Sequence, residues 1–176
     1  MPNTFDSIEL DINLGIFRIK GKWKPDKSER NAAWELYIEL VTRISIVELK
    51  KGEGILQEAL SSLYSLFKTT RQVLRKYGPS VAKPHQDADY SLARLAVNML
   101  NFELRPILSK WHPLLLDYEK QRDRSISIKA HEDKWELNAE LRKVLDDSRS
   151  ALIEYSKYLA LAAGIEALFE EKQGES

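Results

Sequence analysis

The sequence predicts an all-α protein, an antiparallel four-helix up-down bundle with a small N-terminal β-hairpin. Two observations carry this prediction: four long stretches have helical hydrophobic periodicity, and short connections separate them. The last stretch shows the spacing most clearly, with alternating steps of four and three residues between Leu141, Leu145, Ser148, Leu152, Tyr155, Leu159 and Ala162. Such spacing keeps one stripe of a helix facing its packing partner.

A β-hairpin is expected in residues 1–25. In its first strand apolar and acidic residues alternate, with the apolar positions at Ile8, Leu10 and Ile12. A second β-branched and aromatic run covers residues 16–20, residues 13–15 supply the turn, and Gly21 marks a further bend or bulge. Because two strands alone are marginally stable, the hairpin must pack on the helices, extend another sheet or pair across a dimer.

The helical part is expected to occupy residues 26–170, followed by a tail at 171–176 that frays. Asp26 or Ser28 is suited to cap the first helix. The apolar face of this helix is expected to consist of Ala33, Leu36, Tyr37, Leu40, Ile44 and Val47. The second helix is expected to begin near residue 56 and to end at Gly78, which a proline follows.

The third and fourth helices are expected at about residues 90–118 and 131–169. Pro106 and Pro113 lie inside the third helix, and each removes a backbone donor, so they are expected to kink or divide it. The fourth helix is expected to bend near Gly164. The intervening residues 119–130 are polar and are interpreted as a connection.

The composition excludes several classes of site. The chain has no cysteine, which rules out disulfides, thiolate metal sites and cysteine nucleophiles. Its 27 basic residues balance 27 acidic residues, so no strong bulk attraction to nucleic acid or to an anionic membrane is indicated. No apolar run approaches the ~20 residues of a membrane span, and residues 1–11 lack the apolar core of a signal peptide. We therefore expect a cytoplasmic protein.

A polar stripe crosses the otherwise apolar third helix. It consists of Arg94, Asn98, Asn101, Arg105, Ser109 and His112. A helix that is apolar nearly all round, with one polar stripe, is central to its fold or forms an interface. Three interpretations are open: the stripe faces water, it forms a recessed groove that hydrogen-bonds a ligand or partner, or it belongs to a buried network that ties helices together.

Arg105 and His112 have the separation Arg-x6-His, at the wide end of the pattern of the HEPN-type ribonucleases, which are also all-helical and which this spacing resembles. In that family the two residues assist attack of the ribose 2′-hydroxyl on the phosphodiester. A histidine suits proton transfer near neutral pH, and an arginine can stabilise charge on a phosphate. Pro106 departs from the family pattern, which often has a polar residue after the arginine. Arg124 and His131 show the same separation, so the signal has low specificity.

Basic residues cluster in two further places. One cluster surrounds Trp23 on and after the hairpin, at Arg18, Lys20, Lys22, Lys24 and Lys27. Such a cluster can bind single-stranded nucleic acid by charge and stacking, but we favour a role in protecting a sheet edge from aggregation. The other cluster lies on one face near the end of the second helix, at Lys68, Arg71 and Arg75, where cations complement the helix dipole.

The four tryptophans are expected to divide between core and surface. Trp34 and Trp135 are interpreted as core or packing residues. Trp23 and Trp111, each beside a basic residue or near a proline, are the better candidates for a contact surface.

No metal or cofactor is predicted. His131 and Glu132 lack the second histidine of a His-Glu-x-x-His site, because Trp135 occupies its place. None of the three histidines belongs to a Glu-x-x-His pair of the di-iron type, and glycine-rich phosphate loops are absent from the sequence.

Three segments resemble a family of uncharacterised bacterial helical proteins: Ala33 to Ile44, Glu58 to Phe67 and Leu104 to Leu114. The resemblance extends from about residue 18 to about residue 165. It implies a bacterial cytosolic protein that is a component of a larger defence or signalling system. It carries over no catalytic residue.

From these observations we expect a non-enzymatic helical module that binds a protein partner or itself, with the third helix and the hairpin as contact surfaces. This interpretation also expects an exposed apolar patch larger than the ~300–600 Å² of an ordinary monomer. The alternative is a site for nucleotide or RNA phosphate, with or without hydrolysis by Arg105 and His112. The residues assigned to a binding site are Arg94, Asn98, Asn101, Arg105, Trp111 and His112.

Overall fold

The computed structural model describes residues 6–43, 49–50 and 52–168. Within these ranges the protein is mostly helical, with an N-terminal two-strand antiparallel hairpin, as predicted. The elements are β1 (Ile8–Leu14), β2 (Phe17–Trp23), α1 (Lys27–Val41), α2 (Leu56–Tyr77), α3 (Leu92–Asn98), α4 (Arg105–Glu119), α5 (Ile128–Glu132) and α6 (Asn138–Ala163). None of the helices in these ranges is long and apolar enough to cross a membrane.

The hairpin turn lies slightly later than the sequence predicts. Leu14 pairs with Phe17, so the turn consists of Gly15 and Ile16 rather than residues 13–15. Gly15 has φ +73°, a conformation that favours glycine, and its N–H donates to the Asn13 side chain at 3.0 Å. As a result, Ile16 stands at the tip of the hairpin and is 96% exposed.

The inner face of the hairpin belongs to the same core as the helices. It consists of Ile8, Leu10, Ile12, Leu14, Ile19 and Trp23, all of them buried. β1 packs on α6, and the Asp11 N–H donates to the Tyr158 hydroxyl at 3.1 Å. Of the three arrangements open to the hairpin, the structure therefore shows packing on the helices of its own chain.

The first helix begins as the sequence predicts. Asp26 is its N-cap, and with Glu29 it forms a capping box in which each side chain accepts a hydrogen bond from the other residue's backbone N–H. α1 packs on α6 and α2. Ile44 and Val47, which the sequence assigns to this helix, lie outside the described residues, as does the tail at 171–176.

The third helix runs without division from α3 through a π-helical turn, Met99–Leu104, into α4. The Arg105 N–H bonds to the Leu100 carbonyl, five residues back. This wider turn stands immediately before Pro106, which has no N–H and whose ring needs room beside the preceding turn. Pro113 lies inside α4 without ending it. Of the two expected effects of the prolines, division of the helix therefore does not occur.

The fourth helix begins at Asn138, later than the predicted start at residue 131, because the chain turns between α5 and α6. Glu132 is fully buried and its carboxylate points to the start of α2, where it accepts hydrogen bonds from two backbone N–H groups. The Asn138 side-chain amide in turn donates to the Glu132 backbone carbonyl at 2.8 Å.

The seven residues of the predicted α6 stripe, from Leu141 to Ala162, are all buried, which confirms the helical spacing.

The predicted division of the tryptophans between core and surface is wrong for Trp23 and Trp111. Trp23 is fully buried because strand alternation places it on the same face as Ile19. Trp111 is 2% exposed and meets Trp135 edge-on, with ring centroids 6.3 Å apart. Trp34, predicted to be a core or packing residue, is 41% exposed and its ring lies 6.2 Å from that of Tyr37. Trp135 is buried as expected. The surface role predicted for Trp23 and Trp111 therefore does not hold in this chain.

Candidate functional site: a groove at the hairpin turn

A groove of about 620 Å³ lies where the hairpin turn, the π turn and α6 meet. We call it the turn groove. The hairpin contributes Ile16, the π turn contributes Phe102 and Glu103, and α6 contributes Asp147 and Ser148. Both surfaces that the sequence favours for contact, the third helix and the hairpin, thus line one concavity.

One wall of the turn groove is apolar and open to solvent. The rings of Phe17 and Phe102 stack at a centroid distance of 4.1 Å and an interplanar angle of 15°, which fastens the hairpin to the π turn. Phe102 remains 38% exposed, and Ile16 projects from the hairpin tip beside it. A partner side chain that enters the groove would therefore find apolar surface already in place.

Carboxylates surround this apolar wall, at Asp11, Glu103, Asp147 and Glu154. Three of the four form an ion pair with a basic residue of the same chain. Glu103 has no ion pair within the described residues. The turn groove therefore combines an apolar wall with one carboxylate, that of Glu103, which has no counterion among the described residues.

The environment of Glu103 is costly for a charge. Burial raises the pKa of the Glu103 carboxyl, the Ser148 hydroxyl opposes this shift, and the negative charge of Asp147 adds to it. Ser148 is 1% exposed, and its Oγ lies near Glu103 but completes no hydrogen bond of normal geometry with the described residues. A cation or a donor group brought to the Glu103 carboxylate would satisfy this side chain.

The polar stripe of the third helix lies on the outer surface. Arg94, Asn101, Arg105 and His112 are exposed and Asn98 is half-buried, so the structure favours the interpretation that the stripe faces water. Trp111, assigned to the same site, is buried in the core. The recessed groove that the sequence left open is instead formed by the neighbouring face of the π turn, where Glu103 lies.

Two ring contacts place the polar stripe beside the exposed face of α2. The His112 and Tyr64 rings have centroids 6.3 Å apart, and the Arg105 guanidinium lies 5.3 Å from the centroid of Phe67. The Arg105 Nε also donates to the Asn101 side chain at 3.1 Å. Arg105 and His112 themselves are two helical turns apart, about 10 Å along the axis, and have different neighbours.

α2 adds cations to this surface. Lys68, Arg71 and Arg75 are exposed, follow Tyr64 at helical spacing, and form no ion pair within the described residues. We call the surface made by these three residues with Tyr64, Arg105 and His112 the cationic face. Sequence reasoning described its two halves separately, because nothing in the local pattern shows that α2 and α4 are neighbours.

Glu103 and Ser148 were not assigned to a site from the sequence. The available signal was an acid off the polar stripe, in the run Met99–Leu104, whose only other polar residue is Asn101. The π turn matters here as well, since such turns occur frequently at functional sites.

Comparison of the chain with models of protein families, with curated proteins and with solved structures found no match.

Proposed function

We propose that the protein is a non-enzymatic interaction module. Its turn groove binds a segment of a partner protein in which a lysine or arginine stands between apolar residues. The observation that carries this proposal is the half-buried Glu103 carboxylate, which has no ion pair in the described chain and stands beside an exposed aromatic wall. An isolated carboxylate in such a place is unfavourable, and a basic partner side chain would neutralise it.

The chemistry of the groove fits a long basic side chain. The methylene stem of a lysine can lie along Phe102 while its ammonium reaches Glu103, so that apolar burial and charge pairing act together. Apolar neighbours of the basic residue would cover Ile16, which contributes little to the fold because it is 96% exposed.

The test is a titration of ¹⁵N-labelled protein with two synthetic amphipathic helical peptides that differ only in having lysine or glutamate at the polar positions. We expect the lysine peptide to shift the amide signals of Phe102, Glu103 and Ser148, and we expect the glutamate peptide to leave them in place. Glu103→Gln should abolish the response, whereas Glu136→Gln, which removes an exposed acid elsewhere, should preserve it. Equal shifts with both peptides, or an unchanged response in Glu103→Gln, would contradict the proposal.

Self-association is the competing use of the same groove. Light scattering after size exclusion, at low and high salt, measures it directly. A dimer that Phe102→Ala dissociates would show that a second copy of the chain occupies the groove, whereas a monomer leaves the groove to a different protein.

A second candidate function is binding of RNA or nucleotide phosphate at the cationic face. The observation that favours it is the side-by-side placement of Arg105 and His112 with the unpaired cations of α2 and the exposed ring of Tyr64, which is 63% exposed. Cations bind the phosphates, and an exposed aromatic ring can stack on a base. Hydrolysis is not favoured, because Arg105 and His112 lie two helical turns apart and do not face one common phosphate position.

Titration of fluorescent single-stranded RNA at several salt concentrations tests this candidate. Binding at the cationic face should weaken steeply as salt rises, and Arg105→Ala should weaken it further while the circular dichroism spectrum stays unchanged. Arg124→Ala, at an exposed arginine in the 119–130 connection, is the control. If both variants bind RNA equally, the cationic face is not the site; a cleavage assay with His112→Ala beside the wild type tests catalysis.

We also propose, as the wider setting, that the four long helices have the up-down-up-down order and that the module works within a bacterial defence or signalling system. The contacts of Tyr64 with His112 and of Phe67 with Arg105 support antiparallel packing of α2 against the third helix. The resemblance of the three helical segments supports the setting. No cofactor is part of this proposal.

A further inference from the structure

Asp26, Glu29 and His85 converge where the end of the hairpin meets the start of α1 and the loop before α3. Their potential ligand atoms all lie within 4.8 Å of one another. The His85 Nε2 is 3.3 Å from the Asp26 Oδ2 and 3.6 Å from the Glu29 Oε2. The Glu29 side chain is 1% exposed, whereas His85 and Asp26 are open to solvent on one side, at 43% and 36%.

The two carboxylates are oriented by hydrogen bonds that leave one oxygen of each facing His85. The Glu29 Oε1 accepts from the Trp23 Nε1 at 3.1 Å and from the Leu92 N–H at 2.6 Å. The Asp26 Oδ1 accepts from the Glu29 N–H at 2.8 Å. The Glu29 Oε2 accepts only a longer bond of 3.2 Å, from the Asp26 N–H. Outer hydrogen bonds that fix ligand orientation in this way are characteristic of metal sites in proteins.

The distances from the His85 Nε2 to the two carboxylate oxygens suit a small divalent ion. In a tetrahedral site with bonds of about 2.1 Å, neighbouring ligand atoms are about 3.4 Å apart. The two distances from the His85 Nε2, 3.3 Å and 3.6 Å, lie on either side of that value. Two carboxylates and a neutral imidazole would also balance the charge of a divalent ion, and the open side of His85 and Asp26 leaves room for water as a fourth ligand.

We propose that Asp26, Glu29 and His85 bind one divalent first-row transition-metal ion, with Zn²⁺ the best match to this donor set. Imidazole and carboxylate oxygen are both zinc ligands, and three protein ligands with one open position form a recognised type of zinc site. Bound there, the ion ties the start of α1 to the loop that carries His85, and it compensates the buried charge of Glu29. The inference is independent of the turn groove, which lies at the opposite end of the hairpin.

The alternative is an ion pair between His85 and the two acids with no metal, and it has the same geometry, so variants must separate the two. His85→Ala removes one ligand at an exposed position. Asp26→Asn keeps the Oδ1 acceptor that caps α1 but replaces the oxygen that faces His85, so the helix start is preserved. His112→Ala, at an exposed histidine of the cationic face, is the matched control for adventitious binding by imidazole.

The experiment is isothermal titration of metal-free full-length protein with ZnCl₂, together with thermal unfolding in the presence and absence of Zn²⁺. We expect one Zn²⁺ per chain and a thermal midpoint raised by about 5–10 °C at a hundredfold excess over the dissociation constant. His85→Ala and Asp26→Asn should each bind at least tenfold more weakly, and His112→Ala should match the wild type. Mg²⁺ should not compete, because it demands octahedral oxygen ligands.

Two results would overturn the proposal. One is the absence of a saturable one-to-one binding event in the wild type. The other is Zn²⁺ binding that His85→Ala leaves unchanged, which would place the ion at another histidine or at exposed acids. If Asp26→Asn changes the circular dichroism spectrum, the comparison of His85→Ala with His112→Ala still decides the question, since both positions are exposed.

Discussion

The Glu132 carboxylate accepts a hydrogen bond from the Leu56 backbone N–H at 2.7 Å, although 76 residues separate them in the chain. The same carboxylate accepts from the Gln57 N–H at 3.0 Å. Ile55, the residue at the N-cap position of α2, makes no side-chain capping bond. The buried Glu132 of α5 therefore replaces an N-cap side chain at the start of α2. Its negative charge also complements the helix dipole.

Loss of this remote cap should destabilise the protein. Glu132→Ala leaves the Leu56 and Gln57 N–H groups without their acceptor, and we expect the free energy of unfolding to fall by about 2–3 kcal/mol. Urea denaturation monitored by circular dichroism measures the change. Glu136→Gln, at an exposed acid between α5 and α6, should stay within about 0.5 kcal/mol of the wild type. An equal urea midpoint for Glu132→Ala would show that the two N–H groups find other partners.

Glu132 should also make stability depend on pH. Burial raises the pKa of its carboxyl above the ordinary value of 4.5, Glu119 adds to the shift, and the two backbone hydrogen bonds and Arg142 oppose it. Between 4.5 and the raised value the folded protein binds more protons than the unfolded chain, so this group's contribution to stability is present at lower pH and is lost as pH rises through that window.

Urea midpoints measured across that pH range for the wild type and Glu132→Gln check the prediction. The amide does not titrate, so wild-type stability should decline relative to the variant as pH rises. Other acids contribute equally to both proteins and cancel in the difference. Parallel curves would mean that Glu132 titrates alike in the folded and unfolded states.

Gly21 should tolerate no larger residue. Its φ is +151°, and a Cβ added there would come within 2.8 Å of the Asp89 Oδ2, which accepts a hydrogen bond from the Lys22 N–H. We expect Gly21→Ala to lower the free energy of unfolding by about 1–3 kcal/mol more than Gly15→Ala. Gly15 is the matched control, because it also has a positive φ but has nothing within 4 Å of the added Cβ. Equal losses would show that Asp89 moves aside freely.

Glu103→Gln should leave stability unchanged or raise it, by less than about 1 kcal/mol, because it removes a half-buried charge that has no ion pair in the described chain. Thermal unfolding at neutral pH measures this. The same variant is expected to abolish peptide binding, so function and stability would change in opposite directions. A large loss of stability would instead mean that Glu103 supports the fold.

Local spacing was sufficient to predict much of the fold. The steps of four and three residues that begin at Leu141 placed every member of the α6 stripe in the core, because helical geometry alone assigns those positions to one face. Asp26 capped α1 as its residue type predicts, and Gly78 ended α2. The start of α6 was predicted too early, since the turn after Glu132 depends on a contact with α2 that no local pattern contains.

The surface predictions were less successful. Neighbouring charges suggested an exposed Trp23, but its strand position turns the ring inward, where the Nε1 donates to Glu29. Arg105 and His112 are exposed on one face, yet they are not brought together. Metal motifs depend on ligands at short fixed spacing, so no motif could indicate the proposed metal site, in which His85 lies 56 residues after Glu29.

The sequence by itself determined the helical class, the hairpin, the faces of the helices that point inward and the absence of cysteine chemistry. These properties depend on neighbouring residues and on composition, which the chain carries locally. Only the tertiary structure decided that Glu132 caps α2, that Phe102 and Glu103 meet the hairpin turn, and that His85 meets Asp26 and Glu29. Each of these contacts joins residues far apart in the chain, and their distances are fixed only when the core packs.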